Sequence, residues 1–365
     1  MNILSRISTA LNRAAERRFF AASESPSISV IIPTYNRKEE LTGLLSALEK
    51  QTRPATDFEI IVVDDGSSDD TLFYLKTLVA GAKENLLFCY QKNQGPGAAR
   101  NRGMAMARGA FFAFTDTDCR PLPEWLEELI KLFSDKQVGA VGGAEEFEPA
   151  ERALSRAIHF CMTSSLTTGG IRGASGKKLA RYYPRTFNMA ISREAFERTG
   201  GFKQLYHGED IELSFRIKEV GLALLYNEKA RVCHHRRSTM KQFFKQLLRM
   251  GEARVALARL HPKMLEPLHV MPALGILILF LALVLSAFSA TFMFLLKLLL
   301  GAGLLFAVLL GAAASMTRDL LIKERLKLFF LVPFVFAVQQ AAYGIGFYRG
   351  LWKELNERVN AKSKR

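Results

Sequence analysis

Apolar residues are arranged along this chain in two regimes. From Ile28 to about Ala230, short β-rich runs alternate with segments whose apolar residues return every three or four positions. Ile28–Ile32, Glu59–Val63, Leu86–Tyr90 and Ala110–Thr115 read as strands. The first reads as a buried strand. Lys38–Lys50, with Leu41, Leu44, Leu45 and Leu48 on one side, reads as an amphipathic helix, as do Thr71–Val79 and Gly97–Ala107. This alternation predicts an α/β fold, a mainly parallel doubly wound sheet whose ligands sit beyond the carboxyl ends of its strands.

The second regime begins at Leu268. Leu268–Leu296, Leu298–Thr317 and Leu328–Tyr348 contain no Asp, Glu, Lys or Arg, and each is long enough to cross a bilayer core as a helix. The first stretch is expected to break near Ala287–Ala290, so that the second span begins before Lys297. Ahead of the sheet region, Ile3, Leu4, Ile7, Leu11, Ala15 and Phe19 recur at helical spacing, and residues 1–26 read as an interfacial helix and linker. The expected organisation is therefore a catalytic region at 27–230, basic membrane-proximal helices at 231–266, an all-α transmembrane region at 267–348 and a basic tail at 349–365.

Charge sharpens this division. The chain carries 50 Lys+Arg against 35 Asp+Glu, a net +15. The excess lies beside the apolar segments and in two blocks before them, leaving the sheet region net acidic. Basic residues next to a span are drawn to anionic lipid, which makes a lipid bilayer an expected partner. No basic-plus-aromatic RNA motif or reader helix accompanies the charge, so no nucleic-acid partner is expected. The four cysteines form no CxxC pair and read as reduced structural thiols.

Candidate chemistry sits at the strand ends. The first strand runs into Pro33, Thr34, Tyr35 and Asn36, where an aromatic ring can stack on a base. The second ends in Asp64, Asp65, Gly66 and Ser67, carboxylate acceptors at a tight turn. A Gly-rich loop then opens a helix, with Lys92, Arg100 and Arg102 close by, and suits an anion or diphosphate. The fourth strand terminates in Asp116-Thr117-Asp118. Carboxylates two residues apart in extended chain point the same way and can share one divalent ion.

In this order, the motifs PTYN, VVDDGS, QGPGAARNRG and FTDTDC, followed by RTFNMAISREAFERTGGF and YHGEDIELSFRIKEVG, resemble the inverting family 2 glycosyltransferases of GT-A fold, over roughly Ser27–Gly251. The resemblance implies a nucleoside-diphosphate sugar donor, with Tyr35 stacking on the nucleobase, Asp64 or Asp65 accepting from it and Arg100 near the nucleotide. It implies Mg2+ or Mn2+ held by Asp118 with Asp116 beside it, and a catalytic base at Asp210 next to Glu209. Asn188 and Arg193 match the segment beneath donor sugar and acceptor, and His234 matches a histidine that completes the metal site in some members. Taken alone, Glu209 and Asp210 would equally suit the N-terminus of a helix.

The acceptor is less marked. Basic residues including Arg181, Arg185 and Arg249 lie between the motifs and the first span, suiting the phosphate of a polyprenyl-linked or glycolipid acceptor in cell-envelope synthesis. Polysaccharide synthases carry Q/RxxRW, but here Met250 stands in place of the tryptophan in Gln246–Met250, which favours transfer of one or a few sugars over processive synthesis. A membrane-anchored scaffold that kept the fold but lost activity would lack Asp118 or Asp210, and both are present. The expected setting is the inner or plasma membrane with the catalytic region cytoplasmic. Three spans would then leave the basic tail outside, against the positive-inside tendency. Either residues 328–348, with Pro333, Gln339 and Gln340, form a re-entrant or interfacial hairpin, or the tendency fails here.

Overall fold

The computed structural model describes residues 26–81, 85–146, 152–168, 182–205, 207–234, 239–316 and 320–363. The expected amino-terminal helix lies outside them, as do Arg181 and the side chain of His234. The chain divides into two compact units. One comprises residues up to Glu148 together with Ala180–His235; the other joins Pro149–Leu179 to Arg236–Arg365.

The first unit is built on an eight-stranded sheet. β1 (Ile28–Thr34), β2 (Phe58–Asp64), β3 (Leu86–Tyr90) and β4 (Phe111–Phe114) are mutually parallel, in the order β3-β2-β1-β4. The sheet continues through β7 (Met189–Ser192), β6 (Val138–Glu146), β8 (Ala223–His234) and the short β5 (Cys119–Pro121). β7 is antiparallel to both β4 and β6. Helices cover both faces, which is why β1 and β2 are largely apolar, and their buried polar pair, Ser29 and Glu59, is satisfied by a 2.7 Å hydrogen bond from the Ser29 hydroxyl to Glu59 Oε1. Ile28, Val30 and Ile32 pack with Leu41, Leu44 and Leu48 of α1 (Lys38–Leu48) and with Trp125 of α4 (Trp125–Lys131). Ile31, Ile61 and Val63 pack on the other face with Ala99 and Met104 of α3 (Pro96–Met106). Gly103 lets α3 press on β1, since a Cβ there would stand 2.5 Å from Ile31 Cγ2. Helices α2 (Thr71–Ala80), α6 (Arg193–Thr199) and α7 (Glu209–Glu219) complete the layers.

In the second unit, α5 (Ala153–Thr163) and α8 (Met240–Leu260) accompany three long apolar helices, α9 (Pro267–Ser286), α10 (Ala290–Ser315) and α11 (Ile322–Ser363). Residues 152–168, read from sequence as part of the 27–230 region, cluster here because α5 buries Ile158, Cys161 and Met162 against Phe243, Leu247, Val332 and Val335. The first apolar stretch breaks as expected, with Ser289 capping α10 and Lys297 inside it. Residues 328–348 form no hairpin: they belong to one unbroken 42-residue helix that contains Pro333. Proline leaves the Phe329 carbonyl, four residues back, without a helical donor. Gly311 of α10 packs its backbone against that oxygen, where a Cβ would come within 2.4 Å. All three helices are long and apolar enough to cross a membrane.

Candidate active site

The register of β1 on β2 sets Thr34 opposite Asp64, so both strand-end loops emerge side by side. Asn36 ties them together. It adopts a left-handed φ of 53°, donates its N–H to Ser67 Oγ at 2.8 Å, and accepts at Oδ1 from the Ser68 N–H at 2.7 Å and the Asp69 N–H at 3.3 Å. Asn is among the few residues that enter this region at low cost. Tyr35, beside it, is 48% exposed, leaving a ring face open at the mouth of the sheet.

The two adjacent aspartates have different duties. Asp65 is spent on structure: Oδ1 accepts from Gln91 Nε2 at 2.7 Å and the Gln94 N–H at 2.9 Å, and Oδ2 from the Gly95 N–H at 2.8 Å. Those bonds also consume donors that the sequence reading offered to an anion at the start of α3, where Pro96 has no N–H to give. Asp64 is fully buried and, among the described residues, accepts only from Ser67, at 2.9 Å on Oδ1, leaving Oδ2 without a protein partner. Burial pushes its carboxyl above the usual range, with Ser67 opposing. Among the described residues Thr34 Oγ1, at the end of β1, is likewise buried without a partner. Native interiors leave few such groups unpaired, ordered water or a ligand meeting most of them.

Arg100 is held by two carboxylates. Its guanidinium is buried, 2.7 Å from Asp116 Oδ1 and 3.0 Å from Glu209 Oε1. Burial alone would lower its pKa, but Asp116 and Glu209 outweigh this and hold it above the ordinary arginine value. It is the clasp between the end of β4 and the start of α7, and Glu209 lies 109 positions away in sequence. Glu209 is correspondingly enclosed. Burial, then the neighbouring Asp210, raise its pKa against the pull of Arg100.

Asp116 and Asp118 do not lie in extended chain. β4 ends at Phe114, and the pair sits in a turn closed by the Cys119 N–H donating to the Asp116 carbonyl. Their carboxylates meet different arginines, Asp116 with Arg100 and Asp118 with Arg37 at 2.9 Å, so a turn with two cationic partners replaces the parallel pair expected from sequence. β5 pairs Cys119 with His234, which brings the backbone of His234 beside that turn. Among the described residues no three His, Cys, Asp or Glu side chains gather closely enough to hold a metal by themselves.

Asp210 follows Gly208, whose φ is 82°, at the first turn of α7. Its Oδ1 accepts from the Ile211 N–H at 2.8 Å, and Oδ2 stands 3.6 Å from Arg185 Nη1. Thus Arg185 is brought to the proposed base, whereas Arg249 is an exposed residue of α8 in the second unit.

Two matched positions are engaged within the fold itself. Asn188 is buried, accepts from Trp125 Nε1 at 2.8 Å and donates to the Ala144 and Ala230 carbonyls at 2.9 and 2.8 Å. It is a knot among β6, β8 and α4 rather than a binding residue, because both amide hydrogens and the carbonyl oxygen are engaged. Arg193 likewise spends its guanidinium on the Ala107 and Gly109 carbonyls and the face of Phe112. Asn188→Leu strands an indole N–H and two buried carbonyls and should cost about 2–3 kcal/mol. Thermal unfolding of the detergent-solubilised protein measures this, and acceptor KM of the folded fraction should not change. Sequence reasoning missed Arg37 and Gln91. Neither carries a local signal, since their partners lie 81 and 26 positions away.

Residues 29–200 match the profile of Glycosyl transferase family 2. The chain is 31% identical over 235 residues to Glycosyltransferase AglE of Haloferax volcanii, covering 64% of this chain and 74% of that one. It is 25% identical over 333 residues to the dolichyl N-acetyl-alpha-D-glucosaminyl phosphate 3-beta-D-2,3-diacetamido-2,3-dideoxy-beta-D-glucuronosyltransferase of Methanococcus voltae, covering 89% of this chain and 97% of that one. Some other relatives are longer, and the chain spans 49% of their length. In fold it is similar to a mannosyltransferase of Pyrobaculum calidifontis solved with GDP-Man and Mn2+, with a TM-score of 0.62 at 17% identity and 95% of each chain covered. The extent of the Haloferax match decides the assignment: the chain belongs to glycosyl transferase family 2 and is a glycosyltransferase with a GT-A catalytic region.

Proposed function

We propose that the protein is an inverting, metal-dependent glycosyltransferase that moves a sugar from a nucleoside-diphosphate donor to a lipid-linked acceptor, one or a few residues at a time, in cell-envelope glycan or glycolipid synthesis. The observation that carries this reading is the clasp of Arg100 on Asp116 and Glu209. It joins the DxD turn to the helix bearing Asp210 and leaves the Asp210 carboxylate less enclosed than its neighbour. The donor nucleoside lies at the ends of β1 and β2, with Tyr35 stacked on the base and Pro33 and Thr34 lining the approach. Asp64 rather than Asp65 accepts its N–H, because only Asp64 has an oxygen to spare.

Asp210 takes the proton of the acceptor hydroxyl as that oxygen attacks the anomeric carbon and the nucleoside diphosphate departs from the opposite face. Arg185 steadies the carboxylate and meets the acceptor phosphate. An oxygen-rich set of Asp118 and Asp116, with His234 adjacent in the pairing of β8 and β5, fits Mg2+ or Mn2+. Such an ion would neutralise the diphosphate, and the exposed Arg37 can yield Asp118 to it. The names of two similar proteins support these choices: the Methanococcus enzyme acts on a dolichyl-linked sugar phosphate, and the Pyrobaculum structure contains GDP-Man and Mn2+. The membrane is the inner or plasma membrane, with the catalytic unit facing the cytoplasm, where sugar nucleotides are made.

The test is a panel of sugar nucleotides and polyprenyl phosphates, assayed for nucleoside diphosphate release with and without Mg2+ or Mn2+, with Asp210→Asn as control. Release confined to one donor, abolished by chelation and by the control, supports the reading; no turnover with any donor overturns it. Asp64 adds a second expectation. A carboxyl raised above its unfolded value favours the fold at acid pH, and that contribution is lost as pH rises through the folded value. At neutral pH the buried, ionised carboxyl burdens the fold. Asp64→Asn should therefore leave the melting temperature of the free protein unchanged or higher while weakening donor binding about 10- to 100-fold, measured by calorimetry.

A further inference from the structure

We infer that α11 is not a third membrane span. Among the described helices only α9 and α10 cross the membrane, and α11 lies along the bilayer surface on the side of the catalytic unit, with its outer apolar stripe seated in the lipid interface. The inference goes beyond the proposed reaction and does not depend on it.

α11 packs on α8 and α5. α8 carries Lys241, Lys245, Arg249, Glu252, Arg254 and Arg259, too many charges for a hydrocarbon core. α5 has eleven residues, too few to cross. No apolar stretch of spanning length precedes Leu268, so both helices stay on the side of the catalytic unit. The first half of α11 packs on α5, with Leu328, Val332 and Val335 among Ala157, Ile158 and Cys161, and Cys161 Sγ lies 3.6 Å from the Val332 carbonyl. The second half runs beside α8. Gly346 and Gly350 meet the Leu248 backbone and Val255, Arg349 and Lys353 pair with Glu252, and Glu354 and Glu357 pair with Arg259. Both ends of α11 are thus tied to elements that never leave one side. A helix crossing at 328–348 would carry Lys353 and Glu354 to the far side, out of reach of Glu252 and Arg259.

The hairpin agrees. α10 meets α11 near its carboxyl end, through Leu310, Gly311 and Ala314, and α9 near its amino end, where Tyr348 donates to the Ala273 carbonyl at 2.7 Å and Gly344 abuts Pro272. α11 therefore crosses the base of the hairpin rather than running up its length. A third of its most apolar window is buried by protein, 33% against 11% for each of the other two helices.

What remains exposed on α11 fits a lipid surface. Leu326, Phe330, Phe334, Ile345, Trp352 and Val359 are exposed and recur on one face, opposite the buried stripe of Leu328, Val332, Val335, Ala342, Gly346 and Gly350. The exposed stripe is about 50 Å long, whereas a hydrocarbon core is about 30 Å thick. It includes Tyr348, already in contact with α9, so it is continuous with the membrane-embedded hairpin. A long apolar stripe with basic flanks is the pattern of an interfacial helix. Two spans also return the basic tail to the side of the catalytic unit, which removes the charge conflict seen in the sequence.

The test uses the full chain in membrane vesicles, with one epitope tag per protein: at Gly81 in the catalytic unit, at Ala287 in the hairpin turn, between Met316 and Leu320, or after Arg365. Sealed vesicles of both orientations are probed with antibody. The inference expects the Gly81, Met316 and carboxyl-terminal tags on one side and the Ala287 tag on the other. A carboxyl-terminal tag on the Ala287 side, or all four tags on one side, overturns it. A depth measurement gives an independent readout. In a Trp352→Phe background, the fluorescence that Phe334→Trp adds over that of Trp125 should be quenched more by lipids brominated near the headgroup than by lipids brominated near the chain ends. The reverse order would place the middle of α11 at the bilayer centre and sink the inference.

Discussion

Asp210→Asn should reduce transfer by about 10²- to 10⁴-fold, the range expected when a positioned general base is lost, while donor affinity and melting temperature stay near those of the parent. The substitution keeps an oxygen to accept from the Ile211 N–H, so the first turn of α7 retains its bond. It removes the ability to take a proton and weakens the attraction to Arg185, 3.6 Å away. A loss in kcat with KM for the donor unchanged is the signature of an interaction made only in the transition state. Glu209→Gln separates the two neighbours. That side chain is held by Arg100, so its loss should show in thermal stability as well as rate. If Asp210→Asn retained more than a tenth of the parent rate, the base would have to be another group.

Arg100→Met is the second large effect, and its origin is different. The side chain is buried with carboxylates on two sides, so truncating the charge leaves Glu209 and Asp116 facing each other without a counter-ion. Breaking one partner out of a buried ionic group costs about 3–5 kcal/mol. Asp116 is a third exposed, and water screens it in part, so the lower end of that range applies. Thermal unfolding should fall by roughly 6–12 °C. Turnover should be lost together with stability, because the same residue sets the spacing between the DxD turn and α7. Arg100→Lys keeps one charge but cannot reach both carboxylates in the planar geometry of guanidinium, and should recover only part of either property.

What was legible from the sequence follows from the range of each interaction. Ile28–Ile32 and the Leu41, Leu44, Leu45, Leu48 periodicity identify β1 and α1 because burial on a sheet or on one helix face is written in local spacing. Asp64 and Asp65 could not be told apart, since both are acidic and adjacent. What separates them is Gln91 and the N–H groups of Gln94 and Gly95, brought in by β3. Arg100 was found as a residue but not in its role, which depends on a partner beyond a hundred positions. Asn188 shows the opposite error: a motif position can be filled for reasons of packing, here to satisfy Trp125 and two strand carbonyls. Pro333 suggested an interruption in α11, yet the Gly311 contact at Phe329 accommodates it without a break.

The central claim, a single displacement in which Asp210 deprotonates the acceptor on the face opposite the departing diphosphate, is tested most directly by the anomeric configuration of the product. The active donor is incubated with a polyprenyl phosphate or glycolipid acceptor, and the new linkage is read from its anomeric proton coupling by NMR. The account predicts the configuration opposite to that of the donor. A product that keeps the donor configuration would contradict it and would require a different displacement chemistry at this site.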